Sequence, residues 1–125
     1  MGWFFSTIGE DQQKREEKEI AATKKMISEI DVEELIKLFQ KTAAIQTENS
    51  ALGRNLKSIK LNMMANALGE HGDKQAVEPI IKVVKSILKE KSSVGVRASI
   101  AALGEIGDKR AVNTIIEYLE NENSL

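Results

Sequence analysis

Few residues in this chain could carry chemistry. There is one histidine, His71, and no cysteine. Glu70 and Asp73 flank that histidine, and a second carboxylate pair, Glu105 and Asp108, lies 35 residues on. Paired carboxylates beside a histidine suggest either general acid–base work or a metal site. Neither fits. A lone histidine without cysteine cannot furnish the His/Cys ligand set of a zinc centre. The carboxylates recur at the same place in a second copy of the same motif, which marks them as structural. Ser50, Ser58, Ser92, Ser93 and Ser99 have no positioned base and stand where helix caps or helix positions account for them. Gly69-x-x-Gly72 belongs to the repeated motif and is not a phosphate loop. The expectation is a chain that is not an enzyme and needs no metal or cofactor.

The copied motif organises everything else. Residues 67–81 and 102–116 are identical at 11 of 15 positions at an offset of 35. A period of this size signals stacked repeats. Ala67-Leu68 and Ala102-Leu103 end a helix, and Gly72 and Gly107 stop it in the left-handed C′ conformation that glycine adopts freely. Asp73 and Asp108 then offer side-chain oxygens to the free N–H groups of the next helix. Gly69 and Gly104 lack a Cβ, so both are expected to admit a closely packed neighbour. Apolar stripes restart at Ala76-Val77, Ile80-Ile81 and at Ala111-Val112, Ile115-Ile116. This is a helical corner used twice.

Val96-Arg97, Ala98, Ala101-Ala102-Leu103-Gly104, Ile106-Gly107-Asp108 and Arg110-Ala111-Val112 follow the pattern V-R-x-x-A-x-x-A-L-G-x-I-G-D-x-R-A-V-x-x-L. On these residues the chain resembles the HEAT-like repeats of the phycobilisome-lyase type, most strongly over 59–119. The earlier copy departs from the pattern at Leu61-Asn62 and at His71. The resemblance implies an all-α solenoid of about five to six helices stacked as antiparallel pairs, and a role in binding rather than catalysis. HEAT-like deoxyhypusine hydroxylases hold iron with His-Glu pairs, and this chain has no His-Glu dipeptide.

The chain divides into residues 1–30, an aromatic start plus a charged helix, and residues 31–125, the repeat domain. Trp3, Phe4, Phe5 and Ile8 form an apolar cluster that Gly9 separates from a helix over about 10–29. That helix begins with purely charged and amide side chains, and only its second half carries a stripe (Ile20, Thr23, Ile27, Ile30). Asp31 and Glu34 form a capping box for a helix that buries Leu35, Leu38, Phe39 and Ile45. A third helix, 51–70, is expected to begin at the cap Ser50 and to turn Leu52, Leu56, Ile59, Met63 and Ala67 to one face. Helix 74–91 is so widely apolar that it must be sandwiched. Ser92-Ser93 opens the next, 93–106. The last, 109–121, is expected to cap the array with a polar outer face of Asn113, Thr114, Glu117 and Glu120. Asp31 and Asp73 lie 42 residues apart, so the first repeat is irregular.

Net charge is −1, yet residues 54–97 carry +5 and both flanks −3. Lys82, Lys85 and Lys89 on one helix, with Arg54, Lys57 and Lys60 on another, could face an acidic partner. No aromatic side chain is interleaved to stack bases, so nucleic acid is not the expected partner. The favoured function is a scaffold for a protein partner. In the resembled family the second helix of each pair lines the concave face, which makes Arg54, Ser58, Asn62, Asn66 and Arg97 a polar groove floor for a peptide. The alternative is a peripheral membrane or complex-anchored subunit held by Trp3, Phe4, Phe5 and Ile8. Met1-Gly2 with Ser6 also fits a loose myristoylation pattern. Dimerisation through the N-terminal end is a further option. With no signal-peptide pattern and no apolar run long enough to span a bilayer, the expected location is the cytoplasm, with membrane-peripheral attachment open.

Overall fold

The computed structural model describes residues 2–45, 51–89 and 95–123, with side chains over 14–45, 56–89 and 95–120. Six α-helices follow in order: α1 Gly2–Glu29, α2 Val32–Ala44, α3 Ala51–His71, α4 Val77–Lys89, α5 Val96–Ile106 and α6 Val112–Asn123. No strand occurs among the described residues. The caps expected at Ser50 and at Ser92-Ser93 lie outside them.

The helices form two stacked rows. α2 packs on α3 and α4 on α5, while α3 stacks on α5 and α2, α4 and α6 follow one another in the second row. This is an all-α solenoid of antiparallel helix pairs. Its core takes Leu35 and Phe39 from α2, Leu61, Met64, Ala65 and Leu68 from α3, Val77, Ile80 and Val84 from α4, and Leu103 from α5. The sandwiched helix α4 buries Val77, Ile80, Ile81, Val83, Val84 and Ile87, as its wide stripe requires. Ser99 is buried on α5 and satisfied locally, its hydroxyl donating to the Gly95 carbonyl at 2.7 Å.

Both corners are built alike. Gly72 and Gly107 have φ of 65° and 72°, and their N–H groups donate to the Leu68 and Leu103 carbonyls at 3.2 and 3.0 Å. Asp73 Oδ1 accepts from the Gln75 N–H at 3.0 Å, and Asp108 Oδ1 from the Arg110 N–H at 2.9 Å. Each aspartate caps a single 3-10 turn, Lys74–Ala76 or Lys109–Ala111, that leads into the α-helix. The residue two beyond the aspartate differs between copies, yet performs one task. Gln75 Nε2 donates to Asp73 Oδ2 at 2.8 Å, and Arg110 donates to Asp108 through Nε and Nη2 at 3.0 Å each. Arg110 Nη2 also reaches the Lys74 carbonyl at 3.2 Å, tying the second corner to the first.

Those hydrogen bonds, with Arg110 foremost, hold the Asp108 carboxyl at about 2, below its ordinary 3.8. Asp73 is lowered for the same reason, by its bonds from Gln75. A depressed carboxyl stabilises the fold above its unfolded pKa, and the contribution is lost as pH falls through the folded one. Asp108→Asn is therefore expected to lower the melting temperature at pH 6 and to lower it far less at about pH 1.5, below the folded pKa, as followed by circular dichroism. An equal loss at both pH values would exclude this linkage.

Several expectations are corrected. α1 runs unbroken from Gly2, so Gly9 does not separate the start of the chain from the charged helix. Ile45 is exposed just past the end of α2, and Ile36 takes its place in the core. Leu38 is only half-buried. α3 centres its buried face on Leu61, Met64, Ala65 and Leu68, whereas Leu56, Ile59, Met63 and Ala67 are half-buried. α3 carries two apolar sides because α1 packs on it as well as α2 and α5. Gly69 and Gly104 are not equivalent. A Cβ on Gly69 would lie 3.1 Å from the Ala102 Cα, while one on Gly104 would meet nothing within 4 Å. The outer side of the last helix is only partly polar: Asn113, Glu117 and Glu120 are exposed as expected, but Thr114 is buried, and Val112, Ile116 and Leu119 stand exposed beside them.

Candidate binding cleft

The second apolar side of α3 is where a site forms. α1 crosses it, and the two helices are fastened by the ion pair of Lys60 with Glu19. Lys57 fixes α3 to the end of α2, donating to the Ile45 carbonyl at 2.7 Å. Between α1 and α3 lies an open cleft of about 720 Å³, within the range of ligand and peptide-side-chain pockets. Its floor is Ile20 and Ile27 from α1, Ile30 just beyond that helix, and Met63 and Ala67 from α3, and its rim is Lys24, Ser28, Asn66, Glu70 and His71. An apolar floor with one cation, one carboxylate, an amide and an imidazole on its edge suits an amphipathic peptide. The floor takes aliphatic side chains, and the rim fixes their direction.

The groove residues expected from sequence are distributed as follows. Asn62 and Asn66 are exposed on one side of α3, Ser58 is half-buried on the same side, and the Arg54 side chain lies outside the described residues. Arg97 is exposed on α5, one repeat after Asn62. Asn66 alone of these enters the cleft. The side chains of Trp3, Phe4, Phe5 and Ile8 lie outside the described residues, although their backbone is helical. Gly69, Gly72, Asp73, Gly104, Gly107 and Asp108 sit in the two repeat corners, in the manner given above.

His71 ends α3 and is exposed at the cleft's rim, where Ser28 and Glu70 also stand. Asp73 and Asp108 are committed to their caps. Among the described residues no three His, Asp or Glu side chains group closely enough to hold a metal ion, and no helix is long and apolar enough to cross a membrane. Of the basic residues in the middle of the chain, Lys57 and Lys60 are half-buried and engaged in the ties just described. Lys82, Lys85 and Lys89 are exposed along α4.

The cleft was missed as a unit in the sequence. Both of its walls were visible there, as the Ile20, Ile27, Ile30 stripe and as the Met63, Ala67 stripe. Their facing each other depends on α1 folding back across α3, which no local signal encodes.

Residues 63–86 and 96–121 each match the family model described as the PBS lyase HEAT-like repeat. No curated protein and no solved structure matches the chain.

Proposed function

From the premise that this chain carries two adjacent HEAT-like repeats of the PBS lyase type, a kind that generally mediates protein interactions, we propose that it is a non-catalytic scaffold holding a peptide segment of another protein in the α1–α3 cleft. The observation that carries this reading is the cleft itself, apolar below and polar at the edge. A segment with two aliphatic side chains one helical turn apart would seat them over Met63 and Ala67. Asn66 would bond its backbone, and Lys24 and Glu70 would read its charges. Asn62 and Arg97 would extend the contact along the row of stacked helices. The exposed His71 and the capped aspartates support a role without catalysis, and the engaged Lys57 and Lys60 speak against a nucleic-acid groove.

Panning a random peptide library on the full chain tests the reading. Enriched peptides should carry paired aliphatic residues and lose at least about tenfold in affinity against Asn66→Arg, which drives a long cation into the cleft and costs on the order of 1.4 kcal/mol of binding. They should weaken less against the double variant Asn62→Asp with Arg97→Glu. Peptides insensitive to Asn66→Arg, or the absence of any enrichment, would remove the cleft from consideration.

A further inference from the structure

The two repeats bury the same positions differently. Val77, Ile81 and Val84 on α4 are 0, 7 and 0% exposed. Their counterparts 35 residues on, Val112, Ile116 and Leu119 on α6, are 51, 48 and 50% exposed. The stripe keeps its aliphatic character, yet among the described residues nothing covers it. The difference lies in the neighbours. α4 has a predecessor, α2, and two successors, α5 and α6, whereas α6 packs on its predecessor α4. The inner side of α6 is formed by Thr114, Ile115 and Tyr118, with Ala111 of the preceding 3-10 turn. Its stripe is therefore the face that, on α4, the succeeding helices cover.

What would cover it is limited by size and charge. Three half-exposed aliphatic side chains fall far short of the roughly 800 Å² per partner of a standard interface between folded proteins. They do match the single stripe of one helix, with anchors at i, i+4 and i+7. Beside the stripe, on the side away from the core, stand Glu117 and Glu120, both exposed. On α4 the same two positions are Lys82 and Lys85. The acidic flank disfavours a second copy of α6, because antiparallel pairing of the helix with itself would bring each acidic flank against its twin. It favours a cation-bearing helix instead.

We propose that the outer face of α6 docks one amphipathic helix of a partner protein, with aliphatic residues at i, i+4 and i+7 over Val112, Ile116 and Leu119 and Lys or Arg facing Glu117 and Glu120. The docked helix extends the solenoid as the helices after α4 extend it. This surface is separate from the α1–α3 cleft and does not depend on it.

The test uses two synthetic 18-residue helical peptides that share a leucine stripe, one flanked by lysine and one by glutamate. Each is titrated into the isotopically labelled full chain and followed by amide NMR. The lysine peptide is expected to shift resonances of α6 and not those of Ile27, Met63 or Asn66. It should bind about tenfold tighter than the glutamate peptide, since two exposed ion pairs are replaced by two repulsions. Glu117→Lys with Glu120→Lys should invert the preference. Ile116→Ser should abolish binding while circular dichroism stays unchanged, because the residue is half-exposed. Equal affinity for both peptides, shifts outside α6, or no binding would overturn the proposal. So would a dimer in sedimentation that Ile116→Ser dissolves, since that outcome assigns the face to a second copy.

Discussion

Phe39→Ala is expected to remove about 3–5 kcal/mol of stability. Phe39 is the largest fully buried side chain of the described core, with no exposed surface, and α2 carries it toward both α3 and α4. Its removal leaves a cavity that three helices would have to close at once. Total stabilities of domains this size are about 5–15 kcal/mol, so the variant should melt far below the parent or fail to fold at physiological temperature. Urea denaturation checks it, with Ile45→Ala as the comparison. Ile45 stands exposed past the end of the same helix, and its truncation should change stability by about 0.5 kcal/mol or less. Similar losses from both substitutions would contradict the placement of α2 over the core.

The second large effect is a contrast between two glycines in one motif. At Gly69 a valine would thrust its branches toward the Ala102 backbone and the Glu105 carboxylate, both already in contact range of a bare Cβ. Forcing α5 away from α3 should cost about 1–3 kcal/mol. Gly104 occupies the same place one repeat later and faces open space. Gly104→Ala should stabilise by about 0.5–1 kcal/mol, the usual gain from replacing a glycine within a helix. Thermal melts of Gly69→Val and Gly104→Ala should therefore move in opposite directions. Movement in the same direction would mean that α3 and α5 do not stack as described.

That contrast shows how far the sequence can be read. The corners are local, and they were legible: left-handed glycines at Gly72 and Gly107, caps at Asp31, Asp73 and Asp108, and the sandwiched stripe of α4. The start of α5 was not, since it begins at Val96 behind a left-handed Gly95 rather than at residue 93. Position in the stack is not local. Gly69 and Gly104 are the same residue in the same motif, yet only Gly69 has a following repeat against it. Val112, Ile116 and Leu119 continue a stripe that is core in α4 and surface in α6. Periodicity misplaced the core of α3 for a related reason. A helix covered on three sides has apolar residues around much of its circumference, so Met63 and Ala67 formed as good a stripe as Leu61, Met64 and Leu68. Only the second of these turned out to face the centre. Of the candidate groove, Asn66 alone lines the cleft. The cleft's other wall comes from α1, some 40 residues earlier in the chain, and it meets α3 through tertiary contacts, Lys60 with Glu19 among them, that spacing along the chain does not reveal.

The central claim is that α1 and α3 enclose a peptide site. Its most direct test is an amide NMR titration of the labelled full chain with the tightest peptide recovered from the library. The account predicts shifts that cluster on Ile20, Lys24, Ile27, Met63, Asn66 and Glu70 and that vanish in Asn66→Arg. Shifts confined to other helices, or unchanged in that variant, would contradict it.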